Sequence, residues 1–574
     1  MTRAGRRAPT AIDRIAERWV DTRVALHPEE AVWMGRPGHE GRYADHSPAG
    51  FEADAAAAAS ALAELRRATP VDEVDRVTAL DLDRELSLEL ETLEAGLGYR
   101  DLAVIASPAQ GLREILDLEP TATEQDWATI AARLRNLPAA MTGYIATLRE
   151  GIRRGIVPAR RQVEQVIVQC RRNLGEEGIF GRLVAEARPS GADPSGADPG
   201  GAGPGGELPP ALRAELARGA AAASGAYESL IGFLAAELAP VAGEEDAVGR
   251  EHYALASRRF LGASVDLDET YEWGLEELAR TVAEQEALAR EILPGASVEE
   301  AIAHLDADPS RRIAGTEALR EWMQATSDRA VAELAASHFD IPEPVRALEC
   351  RIAPSQDGII YYTGPSDDFS RPGRMWWSVP PGVTEFSTWR ELTTVYHEGV
   401  PGHHLQIGIA THNREELNSW RRFAGTSGHA EGWALYAERL MDDLGYLADP
   451  AERLGMLDGQ RMRAARVVLD IGVHLGKPRP DGEGRWSGDW AFEFFRRHVH
   501  LDAGFVDFEV NRYLGWPGQA PSYKIGQRIW EQLRDETARR EGAAFDIRAF
   551  HSRALRLGGL GLDTLRTALL DGPA

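Results

Sequence analysis

Most of the chain alternates apolar and polar residues with the spacing of a helix. Apolar residues recur every three or four positions over residues 75–95 and 123–172, with charged residues between them, and residues 55–67 are rich in alanine. A repeat near 3.6 residues predicts amphipathic helices that each bury one face. Heptads are not sustained, so we expect packed helices of a mainly α fold and no coiled coil.

Two short runs depart from the helical pattern. Residues 357–364 and 375–379 are rich in β-branched and aromatic side chains, which predicts two strands. We interpret them as a small β-sheet beside the helix that follows, where an edge strand would bind an extended peptide through main-chain hydrogen bonds. A structural hairpin without substrate contact is the alternative interpretation.

One segment interrupts the helical pattern with glycine and proline. Residues 188–210 contain a short tandem repeat and then a glycine-rich run, which predicts a flexible, low-complexity insertion. The flanking segments, an N-terminal helical region of residues 1–187 and a second one of residues 211–344, are predicted to belong to the same helical body. Residues 345–574 are predicted to form the catalytic, zinc-binding region.

The strongest chemical signal is the segment 396–406, with the sequence Tyr-His-Glu-Gly-Val-Pro-Gly-His-His-Leu-Gln. In many zinc hydrolases a glutamate follows the first of two histidines that stand four residues apart on a helix. On an unbroken helix, His403 would point about 240° away from His397, and His404 would lie about 10.5 Å along the axis. The Pro-Gly pair between them favours a break, because proline removes a helical hydrogen bond and glycine permits an unusual turn. A bulge of two residues would restore the spacing for His403, so we favour His403 as the second ligand and keep His404 as the alternative.

The third ligand is expected on the following helix. Glu431 comes 28 positions after His403, which leaves room for a turn and an antiparallel helix, and it shares a helical face with Glu438. We therefore predict one Zn²⁺ per chain, held by His397, His403 and Glu431, with the fourth position open for water as in catalytic sites. Glu398 is then the general base that acts on the metal-bound water. Glu438 is expected to hold a ligand histidine in one tautomer.

Four residues nearer the C-terminus are candidates for assisting roles. Tyr523 is a candidate donor to the oxyanion of a tetrahedral intermediate. Arg512 and Lys524 are candidates for binding a substrate carboxylate, with ordinary salt bridges as the alternative. His474 is a candidate substrate contact, although a satisfied core histidine is the favoured interpretation.

Residues 397–406 and 431–438 resemble the domain-of-unknown-function 885 family. Members of that family contain His-Glu-Gly-x-Pro-Gly-His-His-x-Gln and then Glu-Gly-Trp-Ala-x-Tyr-Ala-Glu, and this chain has both strings. Residues 463–474 and 512–526 resemble two further family segments, whereas residues 370–379 depart from the family pattern. The resemblance implies a large helical zincin, similar to oligopeptidases, with a deep cleft and a zinc-dependent peptidase or amidase activity.

The overall composition limits the partners and the location. A net charge of −26 argues against nucleic acid and anionic membrane surfaces as partners. The two cysteines, Cys170 and Cys350, are too few for a disulfide framework and fit a reduced, cytoplasmic setting. No apolar stretch follows the charged N-terminus and no run approaches 18 apolar residues, so neither a secretory signal nor a membrane span is expected.

We predict a cytoplasmic, zinc-dependent hydrolase of amide or peptide bonds in short peptides or amino-acid conjugates. A zinc-dependent lyase or a biosynthetic tailoring enzyme would use the same ligands, and an inactive peptide-binding module would keep them without turnover. The sequence leaves open the substrate, exo- or endo-action, the metal in vivo and whether the chain forms a homo-oligomer.

Overall fold

The computed structural model describes residues 7–189, 206–353, 355 and 360–571. Within these ranges the protein is mainly helical with two small sheets, as the hydrophobic pattern predicts. Most of the predicted flexible insertion, residues 190–205, lies outside the described residues. The helices of the N-terminal part are α1 (Ala11–Leu26), α2 (Glu30–Met34), α3 (Pro48–Leu65), α4 (Glu73–Glu94), α5 (Pro108–Leu118), α6 (Glu124–Arg154), α7 (Arg160–Arg172), α8 (Ile179–Ala185) and α9 (Pro210–Phe233).

The N-terminal helices form two hydrophobic cores. Helices α1, α3 and α4 share a small core around Trp19 and Leu82, and α5 to α9 share a larger one. The long helix α6 is preceded by a capping box at Thr123 and is capped at its C-terminus by Gly155, which has a φ of 70°. Helix α9 packs along α6, so the segment that follows residues 190–205 returns to the core formed before them.

The remaining helices follow, and most of them surround the largest core. They are α10 (Arg250–Leu261), α11 (Leu267–Ile292), α12 (Val298–Ala307), α13 (Thr316–Ser337), α14 (Thr388–Glu398), α15 (His403–His412), α16 (Ser419–Phe423), α17 (Ser427–Asp443), α18 (Pro450–His474), α19 (Gly488–Arg496), α20 (Ala503–Gly515), α21 (Ser522–Glu541), α22 (Ile547–Arg556) and α23 (Leu562–Leu570).

Helix α18 is the central element of this core, because it packs against α11, α14, α17, α19, α20 and α21. From Ala464 to its end every residue of α18 is buried, as expected for a helix covered on all sides. The pairs α14–α17 and α17–α21 pack on one another next to it. This packing brings together the ends of α14 and α15, one face of α17 and the start of α21.

In the described part of the chain, five strands form two small sheets: β1 (Arg312–Ala314), β2 (Leu348–Ile352), β3 (Ile360–Thr363), β4 (Gly373–Trp377) and β5 (Glu385–Ser387). Strand β4 lies between β2, to which it is parallel, and β3, to which it is antiparallel. Strands β3 and β4 confirm the two predicted strands in their described part, although residues 357–359 lie outside it and β4 begins at Gly373. The sheet contacts α15 through β4, which agrees with the expectation of a small sheet beside that helix.

Candidate metal centre

The two candidate ligand histidines flank a break between two helices. Helix α14 ends at Glu398 and α15 begins at His403. The amide of Gly402 donates to the carbonyl oxygen of Tyr396 at 3.1 Å, a span of six residues where an α-helix has four. Two additional residues are therefore accommodated between the helices, as the sequence predicts. This insertion places His403 on the side of His397.

Gly402 and Trp433 determine the path of the chain through the break. A Cβ atom on Gly402 would lie 1.8 Å from the carbonyl oxygen of His397, so only glycine fits at this close approach of two backbone segments. The indole of the buried Trp433, on α17, donates to the carbonyl oxygen of Pro401 at 2.8 Å. The break is therefore held by the same helix that contains the third candidate ligand.

His397, His403 and Glu431 come together at this break. The Oε2 atom of Glu431 lies 3.3 Å from Nε2 of His397 and 3.6 Å from Nε2 of His403. The two imidazole rings are nearly perpendicular, with centroids 4.9 Å apart. One ligand atom from each residue lies within 4.8 Å of the others. Ligands bound tetrahedrally at about 2.05 Å from Zn²⁺ would be separated by about 3.3 Å, so the three side chains fit one zinc ion.

The hydrogen bonds around the three side chains also fit a cation. The Oε2 atom of Glu431 is buried and has no hydrogen-bond partner among the described residues. A buried carboxylate oxygen without a donor is unfavourable unless a positive charge faces it. A divalent ion between Glu431 and the two histidines would satisfy this oxygen.

Glu438 holds the ring of His397. Its Oε1 atom lies 2.7 Å from Nδ1 of His397, and its Oε2 atom accepts a hydrogen bond from Thr393 at 2.9 Å. With the proton on Nδ1, the Nε2 atom of His397 presents its lone pair to Glu431 and to the space between the ligands. This is the arrangement in which a carboxylate orients a metal-binding histidine.

The charges of the cluster shift its titration. Burial lowers the pKa of His397, but its contacts with the carboxylates of Glu431 and Glu438 outweigh this effect, so the pKa rises to about 10. Burial favours the neutral form of Glu431, yet its close contacts with His397 and His403 and their positive charges hold its pKa well below the usual range. Burial raises the pKa of Glu398 in spite of both histidines. A carboxylate with a raised pKa is a stronger base, as general-base chemistry requires.

Tyr523, on the first turn of α21, lies close enough to the centre for the charge of Glu431 to act on its phenol. Burial raises the pKa of its phenol, and the negative charge of Glu431 raises it further. The guanidinium of Arg466 lies 5.4 Å from the centre of its ring, and that of Arg463 lies 5.9 Å away. The phenol therefore stays protonated at neutral pH and is available as a donor.

Arg463 is a residue of this site that the sequence analysis did not assign. Its positive charge lowers the pKa values of Glu398 and Glu438 and also acts on Tyr523. The available signal is its spacing of three residues from Arg466, which places the two arginines on one face of α18.

His404 lies outside the cluster. Its Nε2 atom lies 2.7 Å from the carbonyl oxygen of Val345, and its Nδ1 atom lies 2.9 Å from the hydroxyl of Tyr362 on β3. Burial lowers its pKa to about 4. Both ring nitrogens are engaged, so the geometry disfavours the alternative in which His404 is the second ligand.

Lys524 and His474 are bound within the protein and not directed at substrate. The ammonium of Lys524 contacts Glu277, Gln460 and Gln527, which occupy its three donors. Lys524 follows Tyr523 directly, but successive helical residues differ by about 100° in direction. These contacts favour the alternative role of Lys524, an ordinary salt bridge, over the binding of a substrate carboxylate.

His474 packs in the core against the ring of Tyr253, with its Nε2 atom 3.1 Å from the carbonyl oxygen of Tyr513. Burial lowers its pKa to about 4. Arg512 donates to Glu509 at 3.0 Å and to Gln519 at 2.9 Å. His474 is thus a core histidine, and Arg512 is engaged in the salt bridge that was its alternative role.

The fold and the cluster define a large helical protein with a candidate metal centre at a helix break. The chain belongs to the family described as bacterial protein of unknown function (DUF885), whose sequence model matches residues 28–569. The resemblance of the His-Glu-Gly-x-Pro-Gly-His-His string to this family is therefore confirmed. A search of curated proteins found no match.

Two solved structures share the fold over nearly the whole chain. One is titled a "putative lipoprotein" from Colwellia psychrerythraea; it is 21% identical, with a TM-score of 0.80, over 98% of this chain and 99% of that chain. The other, titled a "putative lipoprotein of unknown function" from Shewanella oneidensis, is 17% identical, with a TM-score of 0.73, over 98% of this chain and 100% of that chain. At these identities the likeness concerns the fold alone.

Proposed function

We propose that the protein is a zinc-dependent hydrolase of amide or peptide bonds in short peptides or amino-acid conjugates. The observation that supports this most directly is the convergence of His397, His403 and Glu431 around one point, with a glutamate adjacent to the first ligand in sequence. Two histidines and one carboxylate leave a coordination position for water or substrate, which is typical of catalytic zinc.

Each residue of the centre has a role in this proposal. His397, His403 and Glu431 would hold Zn²⁺, which when bound supplies Lewis acidity toward a carbonyl oxygen and a water molecule. Glu398 takes the proton from the attacking water and returns it to the leaving amine. Tyr523 donates its phenolic hydrogen to the oxygen that becomes negative during attack.

The sheet beside α15 provides a surface for extended substrates. Strand β3 is an edge strand of its sheet within the described residues, and the hydroxyl of Tyr362 on β3 links it to His404 on α15. An extended peptide pairing along β3 would run beside the helix of the second ligand. We propose on this basis a zincin-like arrangement in which the substrate lies in a cleft between the sheet and the metal centre.

The proposal also includes the cellular location of the enzyme. Cys170 and Cys350 are both buried free thiols, and burial raises their pKa values, that of Cys350 to about 11, which suits a reduced, cytoplasmic location. No described helix has the length and apolar character that a membrane span requires.

Hydrolysis is tested with the purified protein and a library of short peptides and N-acyl amino acids in ¹⁸O-labelled water. We expect zinc-dependent cleavage with one labelled oxygen in the acyl product, and a loss of about 10²- to 10⁴-fold in kcat for Glu398→Gln. Glu415→Gln, a change of an exposed glutamate, should keep full activity. Products without the label would contradict hydrolysis, and full activity in Glu398→Gln would contradict the proposed base.

A further inference from the structure

One arginine at the edge of the candidate metal centre has no ion-pair partner within the described part of the chain. Arg466, one turn further along α18, is paired with Glu509 at 2.6 Å and bonded to Tyr513. Arg463 forms no such pair with any described residue, and its Nε atom is buried without a hydrogen-bond partner there. An arginine whose donors are unused next to a reactive centre is suited to receive an anion from outside the protein.

The guanidinium of Arg463 lies beside the ring of Tyr523, at the edge of the centre. It lies 5.9 Å from the middle of the Tyr523 ring, and its charge acts on Glu398 and Glu438. Glycine at position 459 leaves room for it, because a Cβ atom there would lie 2.7 Å from Nη1 of Arg463. Arg463 is only partly buried, so a ligand can reach it.

The other cations proposed for substrate binding are already engaged. Lys524 uses its donors on Glu277, Gln460 and Gln527, and the fork of Arg512 is bound by its own neighbours. Among these three side chains, Arg463 alone keeps the planar edge of donors that matches a carboxylate.

We propose that Arg463 binds the α-carboxylate of the residue that leaves as the free amine, so that the enzyme removes single C-terminal residues from short peptides or cleaves N-acyl amino acids. The proposal rests on the hydrolase function and specifies its substrate class. With the carbonyl oxygen at Tyr523, the neighbouring Arg463 is within reach of a carboxylate only one residue further on. The C–N bond breaks, the acyl carbon gains the hydroxyl of water, and the amine gains a proton.

Binding is tested separately from turnover with paired ligands. A library of N-acetyl dipeptides, each made as the free acid and as the C-terminal amide, is incubated with the Glu398→Gln protein as purified, and retained peptides are quantified by mass spectrometry. We expect acids to be retained roughly ten- to a hundredfold better than their amides. The preference should disappear when Arg463→Gln is added and should be partly kept with Arg463→Lys.

The matched control is Arg453→Gln, an arginine on the same helix about 15 Å away along its axis, which should leave the preference unchanged. A role of Arg463 in balancing the charge of Glu398 and Glu438 would affect acids and amides alike, so the ratio isolates carboxylate recognition. Equal retention of acids and amides, or no retention of either, would overturn the proposal. Circular dichroism shows whether each variant is folded. If Arg463→Gln does not fold, the result for Arg463→Lys decides the outcome.

Analysis of the products formed by the unsubstituted protein separates the hydrolase function from the role of Arg463. If the free-acid peptides lose one C-terminal residue and the amides do not, both the hydrolase function and the role of Arg463 are supported. Zinc-dependent cleavage of amides as well as acids, or release of internal fragments next to acidic side chains, keeps the hydrolase function and overturns the role of Arg463. Acid-selective retention without any hydrolysis overturns the hydrolase function and leaves carboxylate recognition by Arg463 standing.

Discussion

Zinc affinity should depend on the carboxylate of Glu438, although Glu438 does not belong to the cluster of candidate ligands. The side chain is 2% exposed, accepts a hydrogen bond from Thr393 and lies 2.7 Å from Nδ1 of His397. Glu438→Gln keeps the size of the side chain and one acceptor oxygen but removes its charge. The imidazole of His397 then becomes less basic, while its position changes little.

The expected loss follows from the type of contact that is changed. Removing a carboxylate that orients a metal-binding histidine typically lowers metal affinity 10- to 100-fold, which corresponds to about 1.4–2.7 kcal/mol of binding free energy. We expect Glu438→Gln near the lower limit, because the amide oxygen can still accept from Nδ1. Glu438→Ala should lie near the upper limit, because the ring of His397 loses its partner altogether.

The assay is competition for Zn²⁺ between the protein and a chromophoric chelator of known affinity, at fixed pH and ionic strength. Asp443→Asn is the control, since it removes one negative charge from an exposed position on the same helix. Affinity unchanged in Glu438→Gln, or lowered equally in the control, would refute the orienting role of Glu438. No zinc binding by the unsubstituted protein would refute the metal centre itself.

Three further outcomes are expected. His403→Ala should lose zinc, measured as metal content per chain by mass spectrometry, whereas His404→Ala should retain it; the reverse result would show that the assignment of the second ligand is wrong. Gly402→Ala should lower the free energy of unfolding by about 3 kcal/mol in chemical denaturation, because its Cβ atom overlaps a backbone carbonyl oxygen; unchanged stability would contradict this close approach. Burial raises the pKa of Asp470 to about 7, above its unfolded value, so its contribution to stability is present below about pH 4 and is lost as the pH rises through 7. The stability of the unsubstituted protein relative to Asp470→Asn should therefore fall by about 3 kcal/mol between pH 5 and 8, and a difference independent of pH would contradict the buried, raised carboxyl.

The candidate ligands could be found from sequence because they lie close together in the chain and next to a helix-breaking pair. The spacing of His397 and His403 is wrong for a straight helix by two residues, and Pro401 with Gly402 indicated where those residues are accommodated. Glu431 followed because a turn and an antiparallel helix return the chain to the same point. These relations are local, so backbone geometry alone is enough to state them.

The surroundings of the site could not be predicted in the same way. Tyr523 and Lys524 are adjacent in sequence, yet the charge of Glu431 acts on Tyr523 whereas Lys524 is paired with Glu277. This difference depends on how α21 is rotated against α11 and α18. Arg463 reaches the centre for the same reason, through packing of α18 on α21. Helical periodicity shows that a face is buried but not which element covers it.

The hydrophobic cores illustrate the same limit for the fold. Periodicity predicts the long helices well, but it gives no sign that residues 211–344 are divided between two cores. In the structure, residues 208–242 share the core of α5 to α9, whereas Tyr253 and the apolar residues after it belong mainly to the core around α18. The sequence shows which face of each helix is apolar. Tertiary packing determines which other helices cover that face.

The high pKa of His397 and the proposed zinc site are two consequences of one arrangement of charge. Glu398, Glu431 and Glu438 bring three carboxyl groups into a space with two imidazoles, and burying carboxylates without compensation is unfavourable. Without an ion, the compensation is a proton on His397, which is why its pKa rises to about 10. A divalent cation would supply the same compensation more fully, since it would also bind the buried Oε2 atom of Glu431, which forms no well-aligned hydrogen bond with a described residue. A proton and a metal ion would compete for the Nε2 atom of His397. The negative charge that binds the proton firmly would therefore also attract a metal cation.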